Sequence, residues 1–222
     1  MGILDIIGPV MVGPSSSHTA GAARIGLYAR RLLGAAPARA ELLLHGSFAA
    51  TGEGHGTHLA LLAGLLGMEA DDERIPKALE EAAAAGLQVA FGTTDLGEVH
   101  PNSVRLLLEG EGRGLDLCAS SVGGGRIRVW RVDGAEVNLD GSYPTLLLLY
   151  PDQPGELAVF SAILANAGLN IATVKVDRTG RGMQALMQVE LDQVPPAGVL
   201  QALRHLPQVD EVRFIPALGN GA

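Results

Sequence analysis

The sequence predicts an α+β protein with two domains, residues 1–144 and 145–222, on three observations. The last third of the chain follows the order strand, helix, strand, strand, helix, strand, which is the split βαβ arrangement. Upstream, short aliphatic strand patterns mix with helical ones. Between the two parts lies Leu139-Asp140-Gly141-Ser142-Tyr143-Pro144, a turn-rich joint. Residues 1–144 hold five of the six histidines and 17 of the 24 acidic residues.

In the first domain, Thr19–Leu33 is expected as a helix whose start is fed by three serines. A strand follows at Ala40–His45. His58–Leu66 and Ile75–Ala85 are expected as two more helices, separated by the acidic turn Asp71-Asp72-Glu73. Strands are expected at Leu87–Phe91, Val104–Leu108, Leu115–Ser120 and Ile127–Val132, with Gly123-Gly124-Gly125 breaking the last two apart. In the second domain Thr145–Tyr150 is a strand, and Asp152-Gln153-Pro154-Gly155 turns into a helix that places Leu157, Phe160, Ile163 and Leu164 on one stripe. Gly168-Leu169-Asn170 stops it. Strands Ile171–Val176 and Met183–Leu191 flank a hairpin turn at Arg178–Gly182, and helix Val199–Leu206 leads to strand Val209–Ile215.

Composition narrows the function. Of 222 residues 47% are hydrophobic and 18% charged, enough to build a core and inconsistent with a disordered chain. A net charge of −8 argues against nucleic acid as a partner. Thirty glycines without a collagen-like period point to turns and ligand loops. The single cysteine, Cys118, excludes a disulfide framework and any all-cysteine metal or iron–sulfur site built by this chain alone, and its strand pattern suits a small core residue. No apolar run approaches membrane-spanning length. Met1–Asp5 has no basic region ahead of a cleavage pattern, and Ile6 stands where a myristoylation motif starting at Gly2 needs Ser or Thr. A cytoplasmic protein is the expectation.

The densest polar cluster is Gly13-Pro14-Ser15-Ser16-Ser17-His18-Thr19-Ala20-Gly21. The hydroxyls and the unpaired N–H groups of a helix start can receive a carboxylate or phosphate, and His18 can exchange a proton there. The bland alternative is one serine as a cap and the others as loop filler. The Gly-Lys-Ser/Thr of a nucleotide-binding loop is absent. A second cluster runs from Gly46 to His58 and includes Gly54-His55-Gly56-Thr57, expected as a ligand loop after a strand with His55 lying before the next helix. His55 and His58 lack a carboxylate at ligand spacing, so a substrate contact is better supported than a metal. His100-Pro101-Asn102-Ser103 is either a third ligand loop or an ordinary turn before a strand.

Asp5 to Gly26, reading DIIGPVMVGPSSSHTAGAARIG, closely resembles the opening of the beta subunit of bacterial iron–sulfur-dependent L-serine dehydratases. Gly46-Ser47-Phe48-Ala49, Gly54–Thr57, His100–Asn102 and Gly123–Gly125 follow in that family's order. Residues 145–222 resemble an ACT domain, marked by Asp152-x-Pro154-Gly155-x-Leu157 and Asn170-Ile171. The resemblance implies a ferredoxin-like second domain and a first domain similar to an allosteric substrate-binding domain. It implies conversion of L-serine to pyruvate and ammonia at a [4Fe–4S] cluster ligated by a separate alpha subunit, this chain ligating no metal. Carried onto these residues, it makes His18 and His55 catalytic candidates. Ser15, Ser16, Ser17, Thr19, Gly54, Gly56, Thr57 and Asn102 become substrate-binding candidates. Asn166, Gly168 and Asn170 become effector contacts, with helix capping as their alternative. A homodimer through either domain is also implied. The chain departs from the family at His58, where Asp is usual after Gly-His-Gly-Thr. The competing expectations are a purely regulatory module like that of some phosphoglycerate dehydrogenases, with no catalytic residue, and a free-standing amino-acid sensor.

Overall fold

The computed structural model describes residues 10–178 and 180–219. Residues 1–9, with the opening of the motif and the N-terminal signal patterns, and Thr179 of the hairpin turn lie outside the described residues. Packing divides these into two compact units, one of residues 10–134, 138–140 and 218–219, the other of 135–137 and 141–217.

A mixed six-stranded sheet runs in the order β2-β1-β3-β4-β5-β6, all of it in the first unit except residues 135–137. Its strands are β1 (Arg39–His45), β2 (Gln88–Thr93), β3 (Asn102–Gly110), β4 (Arg113–Gly123), β5 (Arg126–Val132) and β6 (Ala135–Leu139). Strands β1 and β2 are parallel, which requires a long crossover. The crossover contains α2 (Gly46–His55), α3 (Thr57–Leu65), a 3₁₀ turn (Ile75–Lys77) and α4 (Ala78–Ala84). Helix α1 (Gly21–Leu33) precedes β1. It packs on β4 and on α3, and Ile25, Tyr28 and Leu32 are buried with Leu61, Leu65, Leu106 and Leu117.

Three local expectations need correction. Gly46–His55 is a helix, so His55 closes α2 instead of preceding α3 in a loop. Gly56, at φ 65, then breaks α2 from α3, and His55 and His58 sit on different helices. Strand β6 was not expected at all. Its two-residue turn contains Asp133 and Gly134, at φ 49 and 85, a pair that supplies the left-handed backbone a tight hairpin needs.

The second unit is βαββαβ: β7 (Thr145–Pro151), α5 (Glu156–Asn166), β8 (Ile171–Arg178), β9 (Gln184–Leu191), α6 (Ala197–Arg204) and β10 (Glu211–Ile215). The sheet order is β10-β7-β9-β8, antiparallel throughout, which is the ferredoxin-like order. Leu146, Leu148, Met187 and Val189 meet Phe160, Leu164 and Leu203 in its core. Leu157 departs from the expected stripe: it is 49% exposed, because only Phe160 and Leu164 turn fully inward. Among the described residues no helix is long and apolar enough to cross a membrane.

Candidate functional site

Ser15 stands in an extended conformation ahead of the first helical turn, and its Oγ accepts from the His18 N–H at 3.2 Å. This is N-capping chemistry. The turn it caps, Ser16–Ala20, is π-helical and closes by Gly21 N–H donating to Ser16 O. Single π turns often mark functional positions, because the extra residue redirects a side chain. A Cβ at Gly21 would strike the Ser121 side chain of β4. The helix start can lie this close to the sheet only because residue 21 has no side chain.

His18 leaves the turn toward α2. Its Nε2 lies 3.1 Å from Ser47 Oγ and 3.2 Å from Thr51 Oγ1, and its Nδ1 lies 3.2 Å from Ser17 Oγ. Thr51 Oγ1 already donates its proton to Ser47 O at 2.8 Å, so it can only accept from His18. That pattern assigns neutral His18 its proton on Nε2 and leaves Nδ1 as an acceptor facing the Ser17 hydroxyl. Ser17 in turn lies 3.3 Å from Ser15 Oγ. The His18 ring packs edge-on to buried Phe48, with centroids 5.3 Å apart.

His55 lies beside it, ring centroids 4.9 Å apart. Its Nδ1 meets Thr51 O at 3.1 Å, and a carbonyl only accepts, so Nδ1 carries the proton and Nε2 presents a lone pair. The buried Thr19 hydroxyl donates to His55 O at 3.4 Å and ties the two elements together. Partial burial, then the neighbouring His55, hold the His18 imidazole below its ordinary pKa of 6.5, against a smaller opposing contribution from the Ser47 backbone. The arrangement is therefore a base, two ring nitrogens with available lone pairs, beside a group of hydroxyls.

The structure thus brings together Ser15, Ser17, His18, Thr19 and His55. Of Ser16, only the backbone carbonyl takes part. Gly54 and Gly56 touch nothing where a side chain would start. Thr57 is fully buried at the start of α3, and its Oγ1 has no hydrogen-bond partner among the described residues. Asn102 forms an isolated bridge with Gly46, and its N–H donates to His100 Nδ1 at 3.1 Å. His58 packs edge-on to Phe91 at 5.6 Å. Sequence reasoning missed Ser47, Phe48 and Thr51 as site residues. Only once the segment is helical does their spacing carry a signal: 47, 51 and 55 recur every four residues, one face of a helix.

At the other candidate site, Asn166 ends α5, Gly168 at φ 71 terminates the helix, and Asn170 Nδ2 donates to Asp192 Oδ2 at 2.6 Å. The capping role of Gly168 is therefore realised. A cavity of about 720 Å³ lined by Arg39, Glu41, Glu109 and Asp116 contains none of the expected site residues. No cluster of three or more His, Cys, Asp or Glu suited to a metal occurs among the described residues. Gly56 also yields a prediction. Its would-be Cβ meets open space, so Gly56→Ala costs left-handed backbone strain alone, about 1 kcal/mol. Thermal denaturation should show a fall of about 2–4 °C; an unchanged Tm would contradict the strained joint.

The serine dehydratase beta chain family profile matches residues 3–130, and the ACT domain profile residues 145–208. A probable L-serine dehydratase beta chain of Bacillus subtilis is 42% identical over 213 residues, 96% of this chain and 97% of that one. The L-serine dehydratase beta chain of Peptoniphilus asaccharolyticus is 40% identical over 190 residues, 85% of this chain and 86% of that one. A D-3-phosphoglycerate dehydrogenase of Methanocaldococcus jannaschii is 23% identical over 118 residues, 53% of this chain and 22% of that one.

Proposed function

Because the chain belongs to the serine dehydratase beta-chain family and carries an ACT domain, we propose that it is the beta half of an L-serine ammonia-lyase, active only with an alpha partner. The observation that carries the chemistry is the His18–His55 pair, 4.9 Å apart beside the Ser15–Thr19 turn. On this reading the substrate carboxylate binds at the Ser15 and Ser17 hydroxyls and the N–H groups of the turn. His18 accepts the Cα proton at Nδ1, and His55 Nε2 offers a second station for it. Loss of that proton and of the β-hydroxyl as water leaves aminoacrylate, which hydrolyses to pyruvate and ammonia.

We assign the [4Fe–4S] cluster to the alpha partner. Cys118, this chain's single cysteine, is fully buried in β4, and burial pushes its thiol above the ordinary range, the reverse of what a metal thiolate needs. The loop of Asn166, Gly168 and Asn170 is the proposed seat of an amino-acid effector. Pairing with a second copy is supported by β8, an edge strand that leaves Val174 and Val176 exposed. A second reading is a regulatory module that binds an anionic effector at the same turn and catalyses nothing, the turn's hydroxyls and N–H groups serving as the anion site.

Anaerobic mixing decides between them. The chain is combined with a cluster-loaded alpha candidate, with either chain alone as control, and serine-dependent pyruvate is measured. Pyruvate only in the mixture is the expected result. Activity from the alpha chain alone, merely modulated by this one, would overturn the half-enzyme reading in favour of the module.

A further inference from the structure

Ser103 and Ser120 are polar side chains in a sheet interior, 0% and 3% exposed, on neighbouring positions of β3 and β4. Their hydroxyls are 2.7 Å apart. Ser103 Oγ also donates to His100 O at 2.5 Å. A serine has one proton to give, so Ser103 must accept from Ser120. Ser120 then accepts from the indole N–H of Trp130, which lies 3.1 Å away on β5. The direction is fixed along the whole relay: Trp130 to Ser120 to Ser103 to the His100 carbonyl. Aligned bonds of this kind reinforce one another, and no polar atom in it is left over.

The relay ends on a loop that touches the site. Pro101 O accepts from Ser47 N–H at 2.7 Å and from Phe48 N–H at 3.4 Å, the first donors of α2. Gly46, at φ 56, allows that approach, since a Cβ there would lie 2.6 Å from Pro101 O and 2.9 Å from Pro101 Cα. Ser47 and Phe48 are in turn two of the side chains that hold the His18 ring. We propose that Ser103 is a positioning residue for His18, fixing the His100–Asn102 loop from below so that the loop fixes the start of α2. It rests on the preceding function only in naming His18 as the group worth positioning.

The test uses the full chain, with the His18 ring followed by NMR titration and assigned through His18→Gln. In Ser103→Ala the relay loses its centre, the start of α2 loosens, and the ring becomes more hydrated. Its midpoint should move up toward 6.5, the ordinary value, and the emission of Trp130, the chain's single tryptophan, should shift with it. Leu108→Val, a cavity on the same strand facing the helices, should move neither. In the assembled enzyme Ser103→Ala should lower kcat by about 10- to 100-fold, the scale of a displaced catalytic group, with KM changed far less. Should Ser103→Ala not fold, Ser120→Ala, which removes the donor to Ser103, should move the midpoint in the same direction. A His18 midpoint equal to wild type in the variant that folds overturns the proposal. A midpoint that moves while His18 proves dispensable for turnover overturns the functional reading and leaves the positioning role standing.

Discussion

Replacing His18 with Ala should lower kcat of the assembled enzyme by about 10²- to 10⁴-fold, the contribution of a placed general base. Binding of serine should change little, because Ser15, Ser17 and the helix N–H groups remain. The ring bridges Ser17 on one side and Ser47 with Thr51 on the other, so Ala removes contacts at a half-exposed position and the fold should persist. His18→Gln keeps a polar side chain without a titratable base and should be as inactive as Ala. The pH dependence has a definite sign. The fold lowers the His18 pKa below 6.5, so the folded chain binds fewer protons than the unfolded one in that window. The stabilisation of neutral His18 is complete above 6.5 and is lost as pH falls through the lower folded value. Activity should follow the same acid limb, since the protonated ring cannot accept a proton. Near-normal turnover in His18→Ala, with only the activation by an effector altered, would identify the chain as a regulatory module.

That prediction was within reach of the sequence because its signals were local. Ser15 to Gly21 combines a cap, a histidine in the first turn and flanking glycines, and each has its physical reason within seven residues of chain. The ferredoxin-like half was legible for a similar reason: short aliphatic strand runs stand out, and the Gly155 and Gly168 breaks mark the ends of the helix between the first two. Helix α2 was hidden because glycines at 46, 52 and 54 and small side chains give it no apolar stripe. Its helicity comes from tertiary support, including the Pro101 carbonyl that receives its first N–H groups. With α2 hidden, the face shared by Ser47, Thr51 and His55 was hidden too. The π turn was equally out of reach, since its sequence would also start an α-helix. What distinguishes it is the contact between Gly21 and Ser121, a hundred residues away in the chain.

Gly64→Ala is expected to destabilise the protein by about 3 kcal/mol, at or beyond the upper end of ordinary overpacking. Intrinsic helix propensity points the other way, favouring Ala over Gly by about 1 kcal/mol in a helix interior. Packing overrides it. A Cβ on Gly64 would run into the Ala23 carbonyl of α1 and lie 2.6 Å from Leu27 N and 2.9 Å from Gly26 Cα. The relation is reciprocal, as a Cβ on Gly26 would meet the Leu61 carbonyl and lie 2.9 Å from Leu65 N. All these obstacles are backbone atoms, which no rotamer change can move. The helices must separate, and α1 cannot retreat cheaply because Ile25, Tyr28 and Ala29 on its other sides are fully buried. A domain of this size loses about 2–4 °C of Tm per kcal/mol, so the midpoint should fall by roughly 6–12 °C. Gly198→Ala in α6 is the matched control. Nothing lies within 4 Å of its would-be Cβ, so propensity alone acts and Tm should hold or rise slightly. If Gly64→Ala behaved like Gly198→Ala, the close crossing of α1 and α3 would be wrong. The same crossing sets where α1 begins, so Gly64→Ala should also loosen the Ser15–Thr19 turn in whatever fraction still folds, and the His18 ring should titrate nearer its ordinary value there.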